Sequence, residues 1–291
     1  MNSYTEKIAR SDYEKVKTFF TRKNAELTEQ QYAVFRTKTD NTSVILYESG
    51  KLVFQGPDVT NIVNEFFSYM GKNEQISTKP IAEITEPHIG VDESGKGDFF
   101  GPLVIAGVFS DENNSKKFIE AGIKDSKKLT DEKILKLANI IKANAPFSVV
   151  VIGNEKYNEL YDKFKNLNKL LAWGHARVIE NILEKTPCSF AISDQFGKDN
   201  LIKNALLEKG KNITLEQRFR GEEDIAVAAA SVLARAEYVK RIDMLSARYE
   251  IEFPKGTSNL TLEKAKVFIE KYGKERLKEV AKLHFKTVNK I

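Results

Sequence analysis

The chain has 291 residues, 41% of them hydrophobic and 30% charged, which is typical of a globular protein with one large or two smaller domains. It has no apolar run of about 18 residues and no signal-peptide core, and its single cysteine, Cys188, excludes an internal disulfide, so we expect a reduced, cytoplasmic protein. The formal net charge of +5, with an isoelectric point near 8.9, favours a polyanionic partner without identifying one.

Residues 1–70 predict a small domain of two helices and three strands. Apolar residues at helical spacing predict a first helix over residues 11–23, with Ser11 or Asp12 as its N-cap, and a second over residues 58–69. Between them, turn signals separate three strand-like runs, at residues 32–37, 42–47 and 51–55, which predict an antiparallel meander. A domain with so few elements buries only a small core. We therefore expect it to bind or position another molecule. A dimerisation or folding module is the alternative.

Residues 71–86 predict a linker. The segment is polar, contains Pro80, is followed by Pro87 and has no sustained periodicity. We therefore assign an N-terminal domain to residues 1–70, the linker to residues 71–86 and a second domain to residues 87–291.

The second domain alternates strand-like and helical patterns. Strands are predicted at residues 88–92, 103–109, 147–152, 189–194 and 213–219. Helices are predicted at residues 115–121, 131–144, 156–164, 167–184, 200–209 and 225–241, followed by one or two lysine-rich helices over residues 262–282. Such alternation predicts an α/β domain with a central mixed sheet and flanking helices.

Residues 90–103 form the most informative segment, Gly-Val-Asp-Glu-Ser-Gly-Lys-Gly-Asp-Phe-Phe-Gly-Pro-Leu. Two adjacent acids, Asp92 and Glu93, end an apolar run and precede two glycines. Side chains alternate along a strand, so these carboxylates converge only where the backbone turns, and glycine permits such a turn. Converging carboxylates repel one another unless a cation lies between them. The segment therefore predicts half of a site for a hard metal ion, with Lys96 placed to hold a phosphate.

This segment closely resembles the signature of the ribonuclease HIII family, a branch of the type 2 ribonucleases H. The resemblance implies a ribonuclease H-like mixed sheet flanked by helices, after a small N-terminal α+β domain similar to the TATA-box-binding protein that grips the substrate. It also implies endonucleolytic hydrolysis of the RNA strand of RNA–DNA hybrids with Mg²⁺ or Mn²⁺, leaving 3′-hydroxyl and 5′-phosphate ends. The expected partner is the hybrid duplex, and we expect a monomer.

Further acids are needed, because a metal-dependent phosphodiesterase takes carboxylates from several parts of its fold. Asp194 ends an apolar run, and open α/β sheets place ligands at such strand ends; capping of the next helix is the alternative. Residues 218–235 resemble the family's small-residue helix, which an acid precedes. We choose Glu222, since it follows Arg-Gly, while Glu223 and Asp224 stay open with a helix-end role as their alternative.

The predicted roles follow from this set. Asp92, Glu93 and Asp194 are the expected metal ligands, with Asp92 contacting both cations, and Glu222 completes the catalytic acids. Backbone groups of the glycine turn are expected to read the ribose 2′-hydroxyl, and the Asp-Ser-Lys-Lys-Leu motif at residues 125–129 to contact phosphates, although a solvated basic loop is the alternative. The predicted substrate-binding residues are Ser94, Gly95, Lys96, Gly97, Ser126, Lys127 and Lys128.

Two other features are assigned more simply. Residues 253–256, Phe-Pro-Lys-Gly, resemble a basic turn of the family, although the residues that follow depart from its glycine-rich continuation. The histidines His88, His175 and His284 share no metal-ligand spacing, so we expect structural or surface roles for them.

Three alternatives compete with this interpretation. A nucleotide-binding P-loop fits Gly90, Gly95 and Lys96, but Gly97 stands where serine or threonine must hold Mg²⁺. A non-catalytic nucleic-acid-binding protein would use the same acids as caps and surface charges. The sister enzyme ribonuclease HII also cuts at single ribonucleotides in duplex DNA. Lys96, where that enzyme usually has arginine, and the additional N-terminal domain both favour ribonuclease HIII.

Overall fold

The computed structural model describes residues 3–56, 59–71, 86–124, 126–194, 201–218 and 221–291. The chain divides into two compact units, Met1–Pro80 and Ile81–Ile291. The linker predicted at residues 71–86 lies, except for its two end residues, outside the described residues. Within the described ranges, no helix is both long and apolar enough to cross a membrane.

The first unit is a four-stranded antiparallel sheet with two helices. Its strands are β1 (Ser3–Lys7), β2 (Ala33–Thr39), β3 (Thr42–Tyr47) and β4 (Lys51–Gln55), in the order β1-β4-β3-β2, and its helices are α1 (Tyr13–Arg22) and α2 (Val59–Met70). The predicted meander and both helices are confirmed. Strand β1 was not predicted. Its five residues include one aromatic side chain, Tyr4, and no alternation of apolar and polar residues that would indicate a strand. Pairing with β4, Tyr4 opposite Phe54, forms it.

Aromatic side chains make the core of this unit. Phe20, Phe54 and Phe66 are fully buried, with ring centroids 5.6 Å apart for Phe54–Phe66 and 6.2 Å apart for Phe20–Phe54. They join one face of the sheet to both helices. The opposite face of the sheet is therefore left uncovered by the helices of its own unit.

The second unit contains a mixed five-stranded sheet. Its strands are β5 (His88–Ser94), β6 (Leu103–Ser110), β7 (Phe147–Ile152), β8 (Phe190–Asp194) and β9 (Thr214–Arg218), in the order β7-β6-β5-β8-β9. Strand β5 pairs antiparallel with β6 and parallel with β8. The predicted mixed sheet is confirmed, and Phe219, the predicted end of the last strand, lies outside the described residues. Because β5 is followed by an antiparallel strand and not by a helix, the P-loop alternative is wrong.

Helices cover both faces of this sheet. They are α3 (Glu112–Glu120), α4 (Asp131–Asn144), α5 (Asn154–Phe164), α6 (Leu167–Leu183), α7 (Leu201–Ala205), α8 (Ile225–Tyr249) and α9 (Asn259–Tyr272). One core joins α3, α4, α8 and α9 to the sheet, and another joins α5, α6 and α7 to it. One or two helices were predicted over residues 262–282; α9 ends at Tyr272, because Gly273 adopts φ 88°, and a 3₁₀ turn at Lys274–Glu279 follows.

Helix α8 lies unusually close to β5. A Cβ on Gly90 would stand 2.2 Å from backbone atoms of Ala226 and Val227, so only glycine fits there. Asp224 caps the helix by accepting hydrogen bonds from the N–H groups of the same two residues, and it pairs with buried His88 at 3.0 Å. These contacts fix the first turns of α8 beside the strand that carries the paired acids.

Candidate active site

The end of β5 and the end of β8 bring three predicted acids together. The parallel register pairs Val91 with Ser193, so Asp92 and Asp194 are the next residues on neighbouring strands, and their side chains leave the sheet on the same side. Both line a cleft of about 410 Å³, and so does Glu93. Acids that are about a hundred residues apart in sequence therefore share one solvent-accessible site.

The glycine turn and the basic motif line the same cleft. Six predicted substrate-binding residues do so, namely Ser94, Gly95, Lys96, Gly97, Ser126 and Lys127. Lys128 belongs to the 3₁₀ turn Ser126–Lys128, but its side chain lies outside what the structure describes. Gly95 has φ 87°, and a Cβ there would stand 2.2 Å from the carbonyl oxygen of Pro102, so the turn requires glycine at this position.

The carboxylate of Glu93 contacts two side chains, those of His175 and Lys96. Its Oε2 lies 3.0 Å from Nε2 of His175, and its Oε1 accepts a hydrogen bond from Nζ of Lys96 at 3.0 Å. The other nitrogen of His175 lies 3.0 Å from the hydroxyl of Ser193. The buried imidazole therefore links the end of β5 to the end of β8.

We expected a structural or surface role for His175, and the structure buries the ring and places it against Glu93, a predicted metal ligand. A signal was present in the sequence: a single imidazole in the buried, apolar stretch of α6 needs a polar partner. Which partner it finds depends on the packing of α6 against β5 and β8, which spacing along one helix does not reveal.

The pKa values of the two adjacent carboxylates, Asp92 and Glu93, are shifted in opposite directions. Desolvation, with the negative charges of Glu93 and Asp194, raises the pKa of Asp92 well above its usual range. Burial would also raise the pKa of Glu93, but hydrogen bonding and charge from His175, together with Lys96, lower that pKa to about 2. Negative charge therefore accumulates beside Asp92, whose surroundings include Glu93, Asp194 and the hydroxyl of Ser231.

The donor set suits a hard divalent cation. Asp92 and Asp194 offer only carboxylate oxygens, the ligand type that Mg²⁺ and Mn²⁺ prefer, and a cation would relieve the repulsion that raises the pKa of Asp92. Across the described ranges, no three His, Cys, Asp or Glu side chains are grouped closely enough to form a complete metal site. This agrees with the orientation of Glu93, whose two oxygens face His175 and Lys96.

Glu222, the acid chosen as the fourth of the set, lies in the 3₁₀ turn Gly221–Glu223. The N–H of Gly221 donates to Oδ1 of Asp194 at 3.0 Å, so the turn begins against a cleft acid. Glu222 is half-buried but is not among the described residues that line the cleft. Asp224 is occupied by its cap and by His88, so of the three acids left open it has the structural role.

A network of charged groups that the sequence analysis did not identify forms the basic side of the cleft. Arg235 of α8 donates to the carbonyl of Ser126 at 2.6 Å and to Asp131 at 3.0 Å. Lys255 pairs with the same Asp131. Arg235 and Lys255 both line the cleft, so one carboxylate at the start of α4 orients two cations there. The Phe-Pro-Lys-Gly turn thus contributes its lysine to the cleft.

Comparison with known proteins agrees with this geometry. The family model of ribonuclease HII matches residues 89–288, and a model described as a domain of unknown function matches residues 6–79. The ribonuclease HIII of Protochlamydia amoebophila is 43% identical over 267 residues, which cover 91% of this chain and 88% of that protein.

Solved structures of ribonucleases HIII and H2 differ in how much of this chain they match. The crystal structure of Bst-RNase HIII in complex with Mn²⁺ superposes with a TM-score of 0.68 at 27% identity, covering 99% of this chain and 97% of that one. The ribonuclease H2 of Pyrococcus horikoshii reaches a TM-score of 0.60 at 25% identity, covering 96% of its own chain but 70% of this one. Likeness to ribonuclease HIII thus includes the first unit. The chain therefore belongs to the ribonuclease HIII family and is an endoribonuclease of the ribonuclease H class.

Proposed function

We propose that the chain hydrolyses the RNA strand of RNA–DNA hybrids in a reaction that depends on Mg²⁺ or Mn²⁺ and leaves 3′-hydroxyl and 5′-phosphate ends. The observation that carries the proposal is the placement of Asp92 and Asp194 on adjacent strand ends within one cleft that also has a basic side. The manganese complex of Bst-RNase HIII supports a divalent cation.

Asp92, Glu93 and Asp194 would hold the cations, with Glu222 as the fourth acid. When bound, such cations activate a water for attack on phosphorus and stabilise the departing 3′-oxygen. The chain's own groups orient the acids: the N–H of Glu93 donates to Asp92 at 2.8 Å, and the N–H of Gly221 donates to Asp194. Lys96, which donates to Oε1 of Glu93, would contact a phosphate of the RNA strand.

Substrate recognition is assigned to two sides of the cleft. The backbone of residues 94–97 would approach the ribose and hydrogen-bond its 2′-hydroxyl, the group that separates RNA from DNA. Ser126, Lys127 and Lys128, joined by the cations that Asp131 orients, would contact phosphates. Phosphate contacts of this kind position the duplex without reading its sequence.

The first unit is proposed to bind the hybrid through the sheet face that its helices leave uncovered. Residues alternate along the strands, so the outward positions of β2 and β4 include Arg36, Lys38 and Lys51. Lys7 pairs with Lys51 across β1 and β4, which adds a fourth cation to the same face. Among the described strand residues, the charged side chains on this face are all basic, which favours a phosphate backbone over a second copy of the face.

The direct test is cleavage of a labelled RNA–DNA hybrid by the purified chain. We expect cuts within the RNA strand when Mg²⁺ or Mn²⁺ is present and none with a chelator, and phosphatase treatment should show 5′-phosphate on the products. A DNA duplex of the same sequence should stay intact. Cleavage without a divalent cation, or products ending in cyclic phosphate, would contradict the proposal.

The same assay separates this enzyme from ribonuclease HII. A DNA duplex with one embedded ribonucleotide is compared with the long hybrid at equal concentration. We expect weak or no cleavage of the former. Comparable rates on both substrates would assign the ribonuclease HII preference instead.

A further inference from the structure

Lys282 is a fully buried lysine behind the glycine turn. Its Nζ donates to the carbonyl oxygens of Gly101 at 2.6 Å and Asp98 at 2.9 Å, and lies 3.5 Å from that of Phe100. An ammonium has three N–H donors and no acceptor, so a pocket of carbonyl oxygens matches it. The side chain therefore collects three acceptors from four consecutive residues of the signature segment.

The main chain around Lys282 holds the same four residues. The N–H of Lys282 donates to the carbonyl of Phe99 at 2.9 Å, and the N–H of Gly101 donates to the carbonyl of Val280 at 2.9 Å, which makes a short antiparallel bridge. Residues 98–101 are thus bonded to residues 280–282 through both backbone and side chain. Beyond the 3₁₀ turn Lys274–Glu279, the chain therefore makes an isolated antiparallel bridge, Phe100 with Ala281, and not a helix.

Asp98 connects these contacts to the glycine turn, residues 94–97. The N–H of Asp98 donates to the carbonyl of Gly95 at 3.3 Å, and its carboxylate accepts from the N–H of Gly256 at 2.5 Å. Residues 94–97 therefore leave β5 at one end and meet a fixed Asp98 at the other. The sheet holds the first end, while the position of the second depends on the groups that bond Asp98 and its successors.

We infer that Lys282 is a positioning residue for the substrate, because its ammonium fixes residues 98–101 and thereby holds the backbone of residues 94–97 in the conformation that receives the ribose. The inference rests on the proposed role of that turn in ribose recognition. It assigns to the chain's C-terminal segment a part in distinguishing RNA from DNA.

The chemistry of the pocket argues against a filler role for this side chain. Burial lowers the pKa of Lys282 to about 7, opposed by the negative charge of Asp98, and the ring of Tyr157 lies 5.5 Å from Nζ. An apolar side chain would fill the same space without the cost of burying a charge. It would, however, leave carbonyl oxygens of residues 98–101 without a hydrogen-bond donor. The lysine therefore serves to hold the carbonyl groups of residues 98–101 in their inward orientation.

The experiment measures hybrid preference in an Asp92→Asn parent, which the proposed function expects to bind without cutting. Dissociation constants for an RNA–DNA hybrid and for a DNA duplex of the same sequence are determined at one salt concentration. We expect Lys282→Met to reduce the hybrid-to-DNA preference by about ten-fold, as expected for one lost ribose hydrogen bond, while DNA affinity stays nearly constant. In the cleaving enzyme, the same substitution should raise KM more than it lowers kcat.

Glu180→Met is the matched control. Glu180 is also a buried charged side chain that pairs loop backbone, since it accepts from the N–H groups of Leu207 at 2.7 Å and Gly210 at 2.8 Å, and it does not belong to the described lining of the cleft. Its substitution should lower thermal stability without changing hybrid preference. If Lys282→Met changes both affinities equally, or no more than the control does, Lys282 is structural only.

Two further outcomes are defined. If Lys282→Met does not fold, Lys282→Leu, which also removes the N–H donors, is measured instead; a reduced preference supports the inference and an unchanged one overturns it. If the Asp92→Asn parent binds both duplexes equally, ribose recognition fails for the whole protein. That result overturns the proposed role of the turn together with the inference, whereas an intact parent with unaffected variants overturns the inference alone.

Discussion

Asp92 lies beside two other acids, and burial of its carboxylate together with the negative charges of Glu93 and Asp194 raises its pKa. We predict that Asp92→Asn lowers the cleavage rate by more than about 100-fold, the upper range for losing a group that only orients a metal ligand. Hybrid affinity should be unchanged or slightly higher, because removing negative charge weakens no phosphate contact. Steady-state cleavage and anisotropy titration measure the two quantities.

The control for Asp92→Asn is Asp243→Asn, the same chemical change on an exposed part of α8 outside the cleft. It should leave both quantities at their wild-type values. Near-normal turnover by purified Asp92→Asn would remove this residue from the catalytic set.

His175 illustrates a residue whose role follows from a contact and not from a motif. We predict that His175→Leu lowers kcat by about 10–100-fold and raises the cation concentration needed for half-maximal activity, because Glu93 loses the ring that orients it. His175→Gln, which keeps an N–H donor, should lose less. Cation titrations of both variants test this, and equal loss in the two would indicate that packing, not orientation of Glu93, is the cause.

At the scale of elements, the pair His88–Asp224 joins β5 to the start of α8. Burial would lower the pKa of His88, but hydrogen bonding and charge from Asp224 outweigh burial and raise it. A raised pKa means that the folded protein binds this proton more tightly than the unfolded chain. The pair therefore stabilises the fold fully below the unfolded pKa of about 6.5, and this contribution is lost as pH rises through the folded-state pKa.

We predict that the free energy of unfolding of the second unit falls with rising pH across this window more steeply in wild type than in His88→Gln. Denaturant titrations at several pH values, followed by fluorescence of the single tryptophan, Trp173, measure it. Parallel pH profiles for the two proteins would show that folding leaves the pKa of His88 unchanged, which would contradict the prediction.

Element boundaries were predictable where local signals and packing agree. Residues 131–144 were predicted as a helix and form α4, because Thr130 caps it through the N–H of Lys133 and its apolar positions face the core. Residues 147–152 likewise form β7 as predicted. Strand β1 and the end of α9 were not predictable, since the first exists through pairing with β4 and the second is decided by the left-handed backbone of Gly273.

At the scale of the whole molecule, the two units are expected to divide binding and chemistry. We predict that deleting residues 1–80 weakens hybrid binding and flattens its dependence on salt, while kcat at saturating hybrid is retained, because the acids and the glycine turn belong to the second unit. Affinity measured at several salt concentrations, with single-turnover cleavage, tests both parts.

Charge reversal in the full-length chain controls for the deletion. Lys38→Glu with Lys51→Glu on the uncovered sheet face should weaken binding, whereas Lys15→Glu on the exposed side of α1 should not. Unchanged affinity in the deletion and in the double variant would show that the unit acts otherwise, and sedimentation would then test dimerisation.

The segment from Asp92 to Leu103 indicated the family through its resemblance to the ribonuclease HIII signature, and the alternation of strand-like and helical patterns predicted the mixed α/β sheet. Tertiary structure alone decided which distant groups complete the site. Helix and strand packing places the cations oriented by Asp131 in the cleft, and it buries the ring of His175 and the ammonium of Lys282 against residues that line it. Local sequence encodes periodicity and turns, whereas contacts between groups a hundred residues apart arise only when the core closes.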